Sequence, residues 1–192
     1  MPRKYIAFAL TALVVVGLDQ ATKIWVRDNL ELWTDSRDVI PGFFQIVHYQ
    51  NEGAAFGMAD GMMWLFAVFT VFALGLMFWM TWKLEEDELF VSCMMGLIAG
   101  GAVGNGIDRM LFYAVTDFLR FYLTEGALYD WLRANFNTAE WPSFNVADSA
   151  IVVGILVFFV HQLIQDRLQK PNGHDESLGD DELPDLAAEP EV

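Results

Sequence analysis

The sequence predicts a membrane α-helical protein: four transmembrane helices, with a small extracytoplasmic β-sheet and a loop or helix on the same outer side. Three observations carry this. Four stretches are long and apolar enough to span a bilayer. At 55% hydrophobic, with 16 Phe and 7 Trp, the chain is richer in apolar residues than a soluble domain of this size. In three of the four stretches, polar and charged residues gather at one end: Asp19 with Lys23, Asn105 with Asp108 and Arg109, and Asn145 with Asp148. An ionisable side chain in a bilayer core costs at least a few kcal/mol, so such a gathering points to function.

Residues 5–26 form the first span. At about 1.5 Å per residue they cover a hydrocarbon core of about 30 Å. The Pro-Arg-Lys start resembles a signal peptide, but Asp19, Gln20 and Lys23 stand where small cleavage-site residues would be, so the span is expected to be retained. Residues 62–82 and 89–110 make the second and third spans, and 147–165 the fourth, entered through Trp141-Pro142. Outer segments 28–61 and 111–146 connect them; PGFFQIVHYQ (41–50) is strand-like and NEGAAFG (51–57) turn-rich, which suggests a small sheet. Trp131 and Trp141 suit the bilayer interface.

An even number of spans puts both termini on one side, and Arg3, Lys4, Lys83, Arg167 and Lys170 then share the inner face. The unit ends near residue 170. Of the 26 acids behind the net charge of −15, eight follow Lys170, in a segment without Lys or Arg; residues 171–192 read as a disordered inner tail. The basic stripe of a nucleic-acid binder is absent, so no nucleic-acid partner is expected. Cys93 is the single cysteine and lies in an apolar stretch, and His48, His161 and His174 lack ligand spacing, so neither a disulfide nor a metal site is expected.

Each polar group has a plain reading beside a chemical one. Asp19 and Lys23 are one helical turn apart and read first as an ion pair that fixes helix packing. Gly96, Gly100 and Gly104 recur every four residues, with Gly101 beside them, a spacing that lets helices approach closely in lipid. Arg109 could pair with Asp108, a lipid headgroup or a substrate carbonyl. Asn145 suits a helix cap, and Asp148 lies in the first turn of span four, where the helix dipole favours negative charge. Asp117 has apolar neighbours, which raise a carboxyl pKa. If Asp117 and Asp148 meet, they can share one proton around a water.

LDQATK (18–23), NEGAAFG (51–57), GAVGNGIDR (101–109), VTDF (115–118) and FNVADSAI (144–151) stand in the order and setting of the bacterial lipoprotein signal peptidases, or type II signal peptidases, which the chain resembles from about residue 15 to 165. The resemblance implies an aspartyl endopeptidase of the inner membrane, cofactor-free, with its site on the periplasmic face and both termini cytoplasmic. Its substrates would be diacylglyceryl-modified prolipoproteins, met in membrane lipid and cut before the lipid-bearing cysteine. It puts the catalytic pair on Asp117 and Asp148. Asn51, Gly53, Asn105, Asp108, Arg109 and Asn145 would line the pocket or hold the dyad, and Asp19 with Lys23 would be structural. Two features depart from the family pattern: Thr116, where an apolar residue is expected, and a longer stretch at 125–141, expected to cover the site.

A proton-coupled transporter or small channel subunit also gathers carboxylates in membrane helices, but favours the midplane and an internal repeat. Here the acids lie at one face. A Gly-x-Gly-Asp membrane protease does not fit either, because Gly104-Asn105-Gly106-Ile107-Asp108 is one residue too long.

Overall fold

The computed structural model describes residues 2–53 and 63–169. In chain order the elements are α1 (Arg3–Asn29), β1 (Ser36–Ile40), β2 (Phe44–Asn51), α2 (Met63–Lys83), α3 (Leu89–Phe112), β3 (Val115–Phe121), α4 (Ala127–Phe136) and α5 (Val146–Gln169). Four of these helices, α1, α2, α3 and α5, are long and apolar enough to cross a membrane. Their outer faces are apolar: Leu13, Val71, Phe72 and Phe159 are all exposed. That pattern suits lipid as the solvent. The second half of the NEGAAFG box and the acidic tail lie outside the described residues.

α3 is the central helix, and its glycines explain why. A Cβ on Gly96 would sit 2.6 Å from the Phe8 carbonyl oxygen, and one on Gly100 2.8 Å from that of Ala12, so α1 runs parallel to α3 at backbone contact. Gly101 meets Ala147 and Ile151 of α5, and Gly154 of α5 meets Ile98, which sets α5 antiparallel. Lipid gives helices no hydrophobic reason to associate, so such close approach supplies much of the cohesion. A second layer, Met77, Val91, Met95, Ile98 and Ala99, packs α2 against α3. Lys4 does more than mark the inner side. Its Nζ donates to the Leu84 carbonyl at 2.6 Å and the Trp82 carbonyl at 3.2 Å, closing the C-terminal end of α2.

The sheet is antiparallel, in order β1-β2-β3. Two boundaries differ from the sequence expectation. The strand anticipated at 41–50 begins at Phe44, because Pro41, Gly42 and Phe43 form the turn after β1, with Phe43 N–H bonded to the Ile40 carbonyl at 3.0 Å and Gly42 at φ 77°. The third strand comes from the second outer segment, so Asp117 stands on a strand. β3 pairs with β2 through Tyr49↔Asp117 and Asn51↔Val115. Its other edge is closed by the chain leading into α5, through bridges Leu119↔Phe144 and Tyr122↔Glu140. Val26, Leu30 and Phe118 form a small core that seats the sheet on the helix ends. Burying each such side chain is worth about 1.5–3 kcal/mol.

Candidate active site

The N-terminus of α5 organises the site. A helix begins with free backbone N–H groups, and here they are satisfied by side chains that also bear on the chemistry. Asn145 precedes the helix, and its Oδ1 accepts from Asp148 N–H at 3.0 Å, while Asp148 Oδ2 accepts from Asn145 N–H at 3.1 Å. This reciprocal arrangement is a capping box. Ala147 N–H is taken by Asp19 Oδ1, reaching across from α1 at 3.0 Å. Asp19 therefore caps α5 besides pairing with Lys23 at 2.9 Å.

With Oδ1 of Asn145 engaged in the cap, its Nδ2 faces β3 and donates to Asp117 Oδ1 at 2.9 Å and the Thr116 carbonyl at 3.3 Å. Capping and dyad support were alternatives for Asn145 in the sequence; one amide performs both. Asp117 Oδ2 accepts from Asn51 Nδ2 at 3.1 Å. Asn51 is aimed by Gly53, whose N–H bonds to Asn51 Oδ1 at 3.0 Å. Gly53 has φ +80°, and a Cβ there would lie 2.7 Å from the Phe66 ring, so only glycine fits this turn. Asp148 Oδ1 accepts from Asn105 Nδ2 at 2.7 Å. Each carboxylate is thus held by two N–H donors, and Asn145 serves both.

Beneath this pair lies a buried charge cluster. Lys23 Nζ reaches Asp19, Asn105 Oδ1 at 2.9 Å and Asp108 Oδ2 at 3.5 Å, with Asp19, Lys23 and Asp108 fully buried. Asp108 also accepts from the Thr116 N–H at 2.9 Å. Of the partners open to Arg109, Asp108 is bound elsewhere; Arg109 stacks over Phe66 at 4.5 Å and reaches the Asn105 carbonyl at 3.5 Å. Two residues escaped the sequence reading. Gln20 donates to Asp19 and to the Gly104 carbonyl at 3.1 Å, and Arg27 donates to the Thr116 hydroxyl at 3.0 Å. The signal for Arg27 was its place on the stripe Asp19, Lys23, Arg27, each one turn apart on α1.

Asp117 opens into a cleft of about 700 Å³ walled by Trp33, Tyr49, Asn51, Trp141 and Pro142. Burial pushes its carboxyl up to about 6; the Asn51 hydrogen bond opposes this, and the negative charge of Asp148 adds to it. The two carboxylates therefore sense each other. Among the described residues, no cluster of three or more His, Cys, Asp or Glu is disposed to hold a metal.

Residues 11–164 match the family described as signal peptidase (SPase) II. The chain belongs to the signal peptidase II family. It is a peptidase and a multi-pass bacterial membrane protein. A lipoprotein signal peptidase of Maridesulfovibrio salexigens is 41% identical over 162 residues, covering 82% of this chain and 95% of the relative. One of Listeria welshimeri is 35% identical, covering 85% and 97%. A solved bacterial membrane enzyme superposes with TM-score 0.69 at 30% identity, over 88% of this chain and 94% of its own, and a second with 0.68 at 31%, over 83% and 93%. Membership in the signal peptidase II family agrees with the fold expected from the four spans and the sheet.

Proposed function

We propose that this peptidase removes signal peptides from diacylglyceryl-modified prolipoproteins, cutting before the lipid-bearing cysteine with Asp117, Asp148 and one water. The carrying observation is the single Asn145 that binds both carboxylates, through Nδ2 to Asp117 and the backbone N–H to Asp148. Such shared positioning makes the two acids one unit. Asp117, pushed up to about 6, holds the proton of the pair. Asp148, on the first turn of α5, takes a proton from water as that water attacks the scissile carbonyl. Asp117 donates to the carbonyl oxygen to give a gem-diol; as the C–N bond breaks, the proton on Asp148 passes to the leaving amine and Asp117 recovers a proton from a gem-diol hydroxyl. Arg109, on the helix that carries Asn105, would steady the negative charge that develops on the carbonyl oxygen. Asn51, Gly53, Asn105, Asp108 and Asn145 hold the geometry, and no metal or other cofactor is required.

In this reading the sheet and the dyad face the periplasm and both termini face the cytoplasm, in keeping with the basic residues at the opposite helix ends. A protease site inserted at 125–140 should be cut from outside spheroplasts, and tags at the termini should be protected; the reverse pattern would overturn the orientation. The chemistry is tested by single-turnover cleavage of a lipidated precursor. Asp117→Asn and Asp148→Asn should each abolish turnover, and the double variant should be scarcely worse, because groups acting as a unit give non-additive losses. Near-normal cleavage by either single variant would sink the mechanism. A transporter would instead leave the precursor intact.

A further inference from the structure

The long stretch between the two aspartates builds a second cavity. α4 is amphipathic, and among its described residues none is buried, so it adds little to the core. Its apolar residues Leu128, Leu132 and Phe136, spaced one turn apart, instead wall an apolar groove of about 450 Å³ against Phe43 and Phe121 at the far end of the sheet. The floor is well held. Leu123 N–H bonds to the Ala139 carbonyl and Trp141 N–H to the Phe121 carbonyl, both at 2.9 Å, while Arg120 clamps Glu140 at 2.6 Å. The groove adjoins the Asp117 cleft, because Thr138, Glu140, Trp141 and Pro142 line both.

Direction identifies the occupant. β3 leaves α3 at the bundle end and passes Asp117 before it reaches Phe121, so the groove lies beyond Asp117 from the spans. A signal sequence is apolar, precedes the scissile bond and belongs alongside the helices. On that side an apolar niche opens between α2 and α3, at Phe66, Thr70 and Met110 beside Arg109. The chain that follows the bond must leave the dyad away from the helices. Resting on the peptidase function proposed above, we infer that the α4 groove binds the first residues after the lipidated cysteine and selects apolar side chains there. The chain would thus read its substrate on both sides of the cut.

The test uses full-length enzyme in detergent and two synthetic lipidated precursors, identical through the cysteine. One carries Leu and Phe in the next four positions, the other only Gly and Ser. The apolar peptide should show a KM lower by about tenfold, the effect of burying roughly one large side chain. Leu132→Gln and Phe136→Ser should each remove most of that difference; Phe136 is 62% exposed, so its variant will fold. Equal KM values for both peptides with the parent enzyme would overturn the groove while leaving the peptidase reading intact. Variants that slow both peptides alike would mean that α4 does not choose between side chains, which also overturns it. Failure of the parent to cut either peptide would remove the substrate assignment, and the groove with it.

Discussion

Arg27 on α1 donates from Nη1 to the hydroxyl of Thr116 at 3.0 Å, and so ties the end of the first span to the residue just before Asp117. All three polar groups of Thr116 are engaged: its hydroxyl by Arg27, its N–H by Asp108 at 2.9 Å and its carbonyl by Asn145 at 3.3 Å. Two spans and the cap of a third converge on one residue of β3. The hydroxyl that departs from the family pattern therefore has a partner in the same chain, and a Val there would leave the guanidinium with Asp108 at 3.5 Å and the Phe112 ring.

Thr116→Val should therefore misplace Asp117 without unfolding the protein. A hydrogen bond to a charged group is worth about 1.5–3 kcal/mol, of which about 1.4 kcal/mol is a tenfold change in rate. We expect kcat to fall about tenfold with KM nearly unchanged, and Thr116→Ser to restore it. A Val variant with full kcat would show that the contact serves stability alone.

Gly104 tests the packing beneath the site. A Cβ there would lie 2.5 Å from Asp19 Oδ2 and 3.1 Å from Asp19 Cγ, whereas at Gly17 nothing lies within 4 Å. Gly104→Ala should push Asp19 off Lys23 and off the α5 cap and lower thermal stability in detergent sharply. Gly17→Ala should be neutral or gain up to about 1 kcal/mol from helix propensity. Equal melting temperatures for the two variants would contradict this packing.

Much of this was legible in the sequence. The four spans follow from apolar runs whose length matches the bilayer, and the four-residue glycine spacing of α3 announces close helix packing. The pairing of Asp19 with Lys23 is local and could be read from one helical turn. What escaped depends on contacts distant in sequence. β3 carries too short a pattern to announce a strand, and its partner β2 lies across a helical hairpin. The dual use of Asn145 needs the three-dimensional direction of each atom of one amide. Thr116 looked like an anomaly until Arg27, 89 residues away, supplied its partner.

Lys23 should prove structural. It is fully buried between Asp19 and Asp108, and removing one member of a buried charge group leaves the others uncompensated, at about 3–5 kcal/mol. Lys23→Met should reduce the yield of folded protein far more than the rate per folded molecule. Active-site titration with a tight-binding inhibitor separates the two quantities. A well-folded Lys23→Met enzyme with abolished turnover would place Lys23 in the chemistry instead.

The raised carboxyl of Asp117 links activity to stability through pH. Burial holds it at about 6 in the folded protein against an ordinary value of 3.8, so the folded state binds the proton more tightly than the unfolded one. The sign follows from that. The stabilising proton is in place below about pH 4 in either state, and its contribution is lost as pH rises through about 6. The difference corresponds to on the order of 3 kcal/mol against the folded enzyme at neutral pH. Asp117→Asn removes the charge but sets a donor against one of the two amides that bind Asp117, so its melting temperature relative to the parent should rise as pH goes from 4 to 7.5. If Asp117 holds the catalytic proton, kcat/KM of the parent should also fall about tenfold per pH unit above about 6. The two measurements must agree on the pH at which they turn. A difference between parent and Asp117→Asn that does not change over that pH range would show that the carboxyl carries no such strain.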